Sequence, residues 1–331
     1  MNEVIGMSDK LGKILCVDDE PSILRSLQWL LKKDFEVTTA ASGQEALELL
    51  HSNDFDVIIS DQRMPGMMGS EFLREACRIS PRSMRILLTG YSDMQAILRS
   101  VNEGEVFRFV NKPWDIKELP KIIADAATIS RSYLDEALPS VMGESEEIDT
   151  GEESILLIDD DQTLSQLITE VMGDEIKVTQ ASTLAEAVAA LADQNVGIIL
   201  SDIRVANFDT TTMLKMLKQE HPEVVTVVFT ATADAGDVIT LINQGQVFRF
   251  IPKPVRAAML KQALIAAALK RQQLRTSSSM AQRYTVEGVT DEAREHMFKT
   301  IEQSAASTAA GAGDNLLQRV GGSFKRLFGH D

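Results

Sequence analysis

The run Ile14-Leu15-Cys16-Val17-Asp18-Asp19-Glu20 returns 141 positions later as Ile155-Leu156-Leu157-Ile158-Asp159-Asp160-Asp161. Four apolar residues followed by consecutive acids read as a buried strand that ends on carboxylates. The same offset carries Ile58-Ile59-Ser60-Asp61 to Ile199-Leu200-Ser201-Asp202, and Leu88-Thr89 to Phe229-Thr230. It also carries Val106-Phe107-Arg108-Phe109 to Val247-Phe248-Arg249-Phe250, and Lys112-Pro113 to Lys253-Pro254. From Asp18 to Pro113 the two copies align without a gap, and 24 of 96 positions are identical. Such a period is too long for a solenoid unit, so each copy is expected to be a whole domain.

Within copy one, apolar runs of strand length lie at Ile14–Val17, Phe35–Thr39, Val57–Ser60, Met84–Leu88 and Val106–Val110. Residues at helical spacing lie between them, such as Ile23, Leu27, Leu30 and Leu31. Copy two repeats the strands at Ile155–Ile158, Lys177–Gln180, Gly197–Leu200, Val224–Phe229 and Val247–Ile251. Strands alternating with helices predict a parallel sheet covered on both faces. Right-handed crossovers then predict two α/β, doubly wound, five-stranded domains, with polar chemistry at the C-terminal strand ends. The expected division is an extension over 1–11, domains over 12–138 and 154–275, an acidic linker over 139–153, and a tail over 276–331 that is partly helical or disordered. The sequence from Asp291 to about Ala305 can form a helix. Leu316, Val320, Phe324 and Leu327 sit at helical spacing that would suit a partner- or membrane-binding amphipathic helix, but Gly321-Gly322 breaks it and disorder is expected there.

The 331 residues carry 33 basic and 49 acidic side chains, a net charge of −16. That field repels phosphate backbones and anionic lipid, which argues against a non-specific nucleic-acid or membrane-surface protein. No run approaches the ~18 apolar residues of a membrane span, and the N-terminus lacks a secretory pattern, so a cytoplasmic location is expected. Cys16 and Cys77 sit in apolar segments and read as buried small hydrophobes; Trp29 and Trp114 read as packing residues.

In a parallel sheet Asp18, Asp19 and Asp61 all emerge at one edge. Clustered carboxylates call for a hard divalent cation, and Mg²⁺ suits oxygen ligands. Thr89 adds a hydroxyl and Lys112 a point charge, which together make a cradle for a transferring phosphoryl group. Taken alone, Asp18-Asp19-Glu20 would read equally as a helix N-cap with an acidic first turn. The distant partners in register favour the site.

These residues, with Asp61-Gln62-Arg63-Met64-Pro65-Gly66 and Phe107-Arg108-Phe109-Val110-Asn111-Lys112-Pro113-Trp114, resemble the motif set of response-regulator receiver domains of two-component signalling. Copy one is most similar to receivers of the phosphodiesterase and hydrogenase-regulator type. The resemblance implies a flavodoxin-like fold and phosphoacceptors at Asp61 and Asp202. It implies Mg²⁺ bound by Asp18 (mainly through water), Asp19, Asp61 and the Arg63 carbonyl, and in copy two by Asp159, Asp160, Asp202 and the Arg204 carbonyl. Lys112 and Lys253 would pair with the phosphoryl oxygens. Thr89 with Phe109, and Thr230 with Phe250, would be the switch pairs. Arg63, Tyr91, Arg204 and Thr232 would tune the lifetime of the acyl phosphate. Copy two departs in the loop after its acceptor, where Val205-Ala206-Asn207-Phe208 replaces Met64-Pro65-Gly66-Met67.

The resemblance implies a sensor histidine kinase or phosphotransfer protein as donor. The expected output is phosphorylation-dependent contact with a downstream protein, without nucleic acid, stable membrane insertion or enzymatic activity beyond self-phosphorylation and autodephosphorylation. It leaves room for a homodimer. Two alternatives come from other classes: a Mg²⁺-dependent phosphatase with an aspartyl intermediate, and a regulator whose tail is a cryptic effector. The phosphatase requires Asp-x-Asp after the first strand, which Ile14–Glu20 does not contain.

Overall fold

Val57, Ile58, Ile59, Ser60 and Asp61 are all buried, as a strand covered on both faces must be. This strand is central in a computed structural model of the chain, which describes residues 10–90, 98, 101–103, 106–132, 154–173, 176–193, 195–206, 208–230, 235–276, 289–307, 322–324 and 327–328. The chain divides into two compact units, Met1–Leu138 and Pro139–Asp331. The expected linker 139–153 lies outside the described residues.

The first unit runs β1 Lys13–Val17, α1 Pro21–Leu31, β2 Glu36–Ala40, α2 Gly43–Ser52, β3 Val57–Asp61, α3 Gly69–Ile79, β4 Met84–Thr89, β5 Arg108–Asn111 and α4 Glu118–Ser132. Pro21 starts α1, where its missing N–H costs nothing. Ser42 caps α2 by accepting from the Glu45 N–H at 3.2 Å, and the Glu45 carboxylate accepts from the Ala41 N–H at 2.7 Å. The strands pair in parallel in the order β2-β1-β3-β4-β5. The order reverses between β1 and β3, so the crevice opens at their C-terminal ends, where the acids lie.

The second unit repeats this with β6 Ser154–Ile158, α5 Gln162–Met172, β7 Val178–Ala181, α6 Leu184–Asp193 and β8 Val196–Asp202. After a short antiparallel pair, β9 Arg204–Val205 and β10 Phe208–Asp209, come α7 Thr211–Glu220, β11 Val225–Thr230, α8 Ala235–Gly245, β12 Arg249–Pro252 and α9 Ala257–Thr276. Its sheet has the order β7-β6-β8-β11-β12, the same topology. Both sheets match the doubly wound expectation, although Phe35, Val106 and Phe107 precede their strands rather than starting them.

The helix expected from Asp291 is present, and the expectation of disorder beyond it fails at residues 322–324 and 327–328, which are helical. Helix α10 spans Asp291–Ser307 and packs against both α6 and α7. Phe324, Leu327 and Phe328 are buried, and the rings of Phe298, Phe324 and Phe328 meet in series, tilted to one another, with centroids 5.2 and 4.9 Å apart. Their helical spacing marked a face that is covered. Leu316 and Val320 lie outside the described residues.

Trp29 is no packing residue: it is 73% exposed, on the outer face of α1 beside Trp114 and Ile116. Cys77 is half-buried, whereas Cys16, on central strand β1, is fully buried and its thiol is pushed up to about 12 by desolvation. No helix among the described residues is long and apolar enough to cross a membrane.

Candidate functional site

Lys112 follows the last strand of the first sheet, and its backbone N–H donates to the Thr89 carbonyl at 3.0 Å. That bond aims the side chain back over the strand ends. The ammonium reaches Asp18 Oδ2 at 2.7 Å and Asp61 Oδ1 at 2.6 Å. The other oxygen of each carboxylate is held by backbone: Asp18 Oδ1 accepts from the Glu20 N–H at 2.9 Å, and Asp61 Oδ2 from the Arg63 N–H at 2.7 Å. Desolvation works against the Lys112 charge, but the bonds to Asp18 and Asp61 outweigh it and hold its pKa above the ordinary lysine value.

The second domain repeats this arrangement atom for atom. The Lys253 N–H donates to the Thr230 carbonyl at 2.7 Å. Its ammonium bonds Asp159 Oδ2 at 2.9 Å and Asp202 Oδ2. Asp159 Oδ1 accepts from the Asp161 N–H at 2.8 Å, and Asp202 Oδ1 from the Arg204 N–H at 3.3 Å. Burial pushes the Asp159 carboxyl up, opposed by the Asp161 N–H and by Lys253, while the two carboxylates hold Lys253 high. The peptide bonds Lys112–Pro113 and Lys253–Pro254 are both cis.

The structure brings Asp18, Asp61 and Lys112 together in the first domain, and Asp159, Asp202 and Lys253 in the second. Thr89 and Thr230 end β4 and β11 and are buried, and Phe109 and Phe250 lie two residues back in register, with their rings inside the core. Asp19 is half-buried and Asp160 exposed. Tyr91 and Thr232 lie outside the described residues. Asp18, Asp19, Asp61 and the Arg63 carbonyl form an all-oxygen donor set, and donors of that kind fit Mg²⁺. Among the described residues no three His, Cys, Asp or Glu side chains converge on one point, and the Lys112 ammonium bonds both Asp18 and Asp61.

Three positions escaped the sequence reading. Gly69 opens α3 so close to the acceptor that a Cβ there would lie 2.0 Å from the Asp61 carbonyl oxygen. Gln62, buried behind Asp61, accepts from the Ser70 N–H at 3.1 Å and donates to the Ser70 hydroxyl at 3.3 Å, which locks the loop. In the second domain β9 and β10 pair across Ala206, at φ 49°, and change the loop's path. Thr210 then stands where the first domain has Gly69, and its hydroxyl donates to the Asp202 carbonyl at 2.8 Å. The one signal for Gly69 in the sequence was a glycine at a helix start, eight residues past the acceptor.

The family profile described as "Response regulator receiver domain" matches residues 14–124 and 155–265. A stretch of 108 residues is 42% identical to the hydrogenase transcriptional regulatory protein HoxA of Cupriavidus necator, covering 33% of this chain and 22% of that protein. The DNA-binding transcriptional regulator NtrC of Escherichia coli is 34% identical over 120 residues, 35% of this chain and 24% of the relative. The signal receiver domain of an HD domain-containing protein from Pseudomonas fluorescens is 34% identical, covering 41% of this chain and all of that one, with a TM-score of 0.38. The chain spans about a quarter of the length of these curated relatives. With the profile matched twice, on the two domains that carry the lysine-bridged acids, the chain belongs to the response-regulator receiver family.

Proposed function

We propose that this chain is a two-component response regulator that accepts phosphoryl groups on Asp61 and Asp202 from a sensor histidine kinase or phosphotransfer protein. The observation that carries this reading is the pair of ammonium bridges, Lys112 to Asp18 and Asp61, and Lys253 to Asp159 and Asp202. In transfer, a carboxylate oxygen of Asp61 attacks phosphorus. The P–N bond of the donor phosphohistidine breaks, the imidazole leaves with the electron pair, and an acyl phosphate forms. Lys112 is placed to follow the negative charge from carboxylate to phosphoryl oxygen, and the Thr89 hydroxyl at the neighbouring strand end completes the cradle. Mg²⁺, held by Asp18, Asp19, Asp61 and the Arg63 carbonyl, and in the second receiver by Asp159, Asp160, Asp202 and the Arg204 carbonyl, would neutralise charge in the transition state.

The output is phosphorylation-dependent protein contact in the cytoplasm, with no turnover of an external substrate. DNA binding, named for one relative, belongs to that protein, of which this chain spans 24%. The net charge of −16 opposes a phosphate backbone. Intact mass after incubation with Mg²⁺ and acetyl phosphate tests the assignment: two additions in the wild type, and one each in Asp61→Asn and Asp202→Asn. Two additions in either variant would remove that aspartate from its role.

A further inference from the structure

Helix α6 is apolar nearly all round. Leu184, Ala185, Ala187, Val188, Ala190 and Leu191 are all buried. Its counterpart α2 buries only Gly43, Ala46 and Leu50. Helix α7 likewise buries Met216, where α3 carries Glu75. A helix with two apolar faces needs two partners, and the sheet is only one of them. In the first receiver α2 packs directly on α3. In the second, α6 and α7 scarcely touch each other, and both pack on α10.

The segment that fills this gap has the form of a helical ligand. Met297, Ile301, Ser304 and Ala305 are buried at i, i+4, i+7 and i+8, while Glu292, Glu295, His296, Lys299 and Glu302 face water. That is the pattern of helix-in-groove recognition. Polar bonds at one end hold it. The Val289 N–H donates to Gln219 Oε1 at 3.0 Å, and the Arg294 guanidinium bonds the Phe328 carbonyl at 2.6 Å and Glu220 at 3.1 Å. Among the described residues, the core under α5 and α9, from Ile155 to Leu274, takes none from the tail. Residues 277–288 alone join the segment to α9.

We propose that the gap between α6 and α7 of the second receiver is a helix-binding cleft, and that the C-terminal segment is its intramolecular ligand, displaceable by an equivalent amphipathic helix. Alanines on α6 let a helix approach closely, and the methionines of α7 adapt to its side chains. The cleft shares α7 with the acceptor loop, because Thr210, just before α7, bonds the Asp202 carbonyl. The proposal does not depend on phosphorylation.

A labelled peptide of residues 286–331, titrated into the full chain and read by anisotropy, tests it. A tethered segment acts at an effective concentration of about millimolar, so the wild-type chain should exclude micromolar peptide. Ile301→Asp in the chain should undock its own segment and bind the wild-type peptide at least tenfold more tightly than the wild-type chain does. The same substitution in the peptide should abolish binding. Arg294→Ala, which takes nothing from the apolar stripe, should admit the peptide severalfold more tightly than wild type. Equal affinity for wild-type and variant chains would overturn the proposal. So would failure of the Ile301→Asp chain to bind while the amides of β6, β8 and β11 stay protected from exchange. Loss of that protection in Ile301→Asp would make the segment part of the core and would equally end it.

Discussion

The two receivers satisfy the same buried carbonyls with cations taken from different elements. In the first, Arg85 on β4 is fully buried and donates to the carbonyls of Pro81 and Ser83, at 3.4 and 2.6 Å. In the second, residue 226 is threonine, and Lys218 reaches in from α7 to the carbonyls of Pro222 and Val224, at 2.7 and 2.8 Å. Those positions correspond: adding 141 takes Pro81 to Pro222 and Ser83 to Val224. The loop before the fourth strand turns its carbonyls into the protein, where each needs a donor. What persists between the copies is therefore the demand of the backbone, not the residue that meets it. The acceptor loop shows the reverse. The lysine, the acids and their backbone donors persist, while Gly69 and Gln62 give way to Thr210 and Ile203 on a rerouted chain.

The largest expected effect tests that rerouting. Gly69→Ala places a Cβ 2.0 Å from the Asp61 carbonyl oxygen and 3.0 Å from the Gln62 Cα, both backbone atoms on the acceptor loop. The loop must move, and overpacking of this kind costs about 1–3 kcal/mol or more. The expected outcome is loss of the mass addition at Asp61 with the addition at Asp202 retained, and a lower urea midpoint for the first receiver. Trp29 and Trp114 are the only tryptophans and both lie in that receiver, so fluorescence reports it alone. Normal phosphorylation of Gly69→Ala would show that the two loops are interchangeable.

The buried cations differ in a second way: arginine stays charged, whereas lysine titrates. Burial pushes Lys218 down to about 7, with Glu223 opposing and Lys270 and Arg271 adding to the shift. Between pH 7 and about 10 the unfolded chain binds the extra proton, so the second receiver should gain stability as pH rises, by up to about 1.4 kcal/mol per unit. Below pH 7 the ammonium is charged in both states and the full burial cost remains. The first receiver should behave oppositely above pH 9. There the unfolded Cys16 thiol ionises and the buried one does not, so stability falls. Urea unfolding at pH 7, 8, 9 and 10, followed by tryptophan fluorescence and far-UV circular dichroism, separates the two transitions. Lys218→Met should flatten the second. A slope that survives Lys218→Met would assign it to another group.

The sheets and cradles were legible because they rest on local patterns that occur twice: apolar runs of strand length, acids directly after them, and a lysine before proline. The end of the tail was not. Phe324, Leu327 and Phe328 carry helical spacing, but nothing in a linear reading says that Phe298 of α10 lies against Phe324 or that Arg294 bonds the Phe328 carbonyl. Arg85 inside Met84-Arg85-Ile86-Leu87-Leu88-Thr89 interrupts an apolar strand for a reason visible only once the Pro81 and Ser83 carbonyls are seen beneath it. The pair β9 and β10 was illegible for a similar cause. Two residues on each side carry no periodicity, and only the change of sequence after Asp202 marked the place.

The smallest effect concerns what the second receiver gained by its rerouted loop. Thr210 is fully buried, and its hydroxyl donates to the carbonyls of Asp202 at 2.8 Å and Ile203 at 3.1 Å. Thr210→Ala leaves those carbonyls without this donor, but the Ser201 hydroxyl still donates to the Asp202 carbonyl at 2.8 Å, and the residue 210 N–H to that of Ile203 at 3.0 Å. The net loss should thus be that of one hydrogen bond, about 1 kcal/mol. Thr210→Gly should lose slightly more, since glycine adds freedom to the unfolded chain. Neither should prevent the mass addition at Asp202, because the bridge from Lys253 and the Arg204 N–H are untouched. If Thr210→Gly instead stabilised the second receiver, the loop would have collapsed onto the path that Gly69 permits in the first. The pairing of β9 with β10 would then be a consequence of the threonine rather than of Val205 and Phe208.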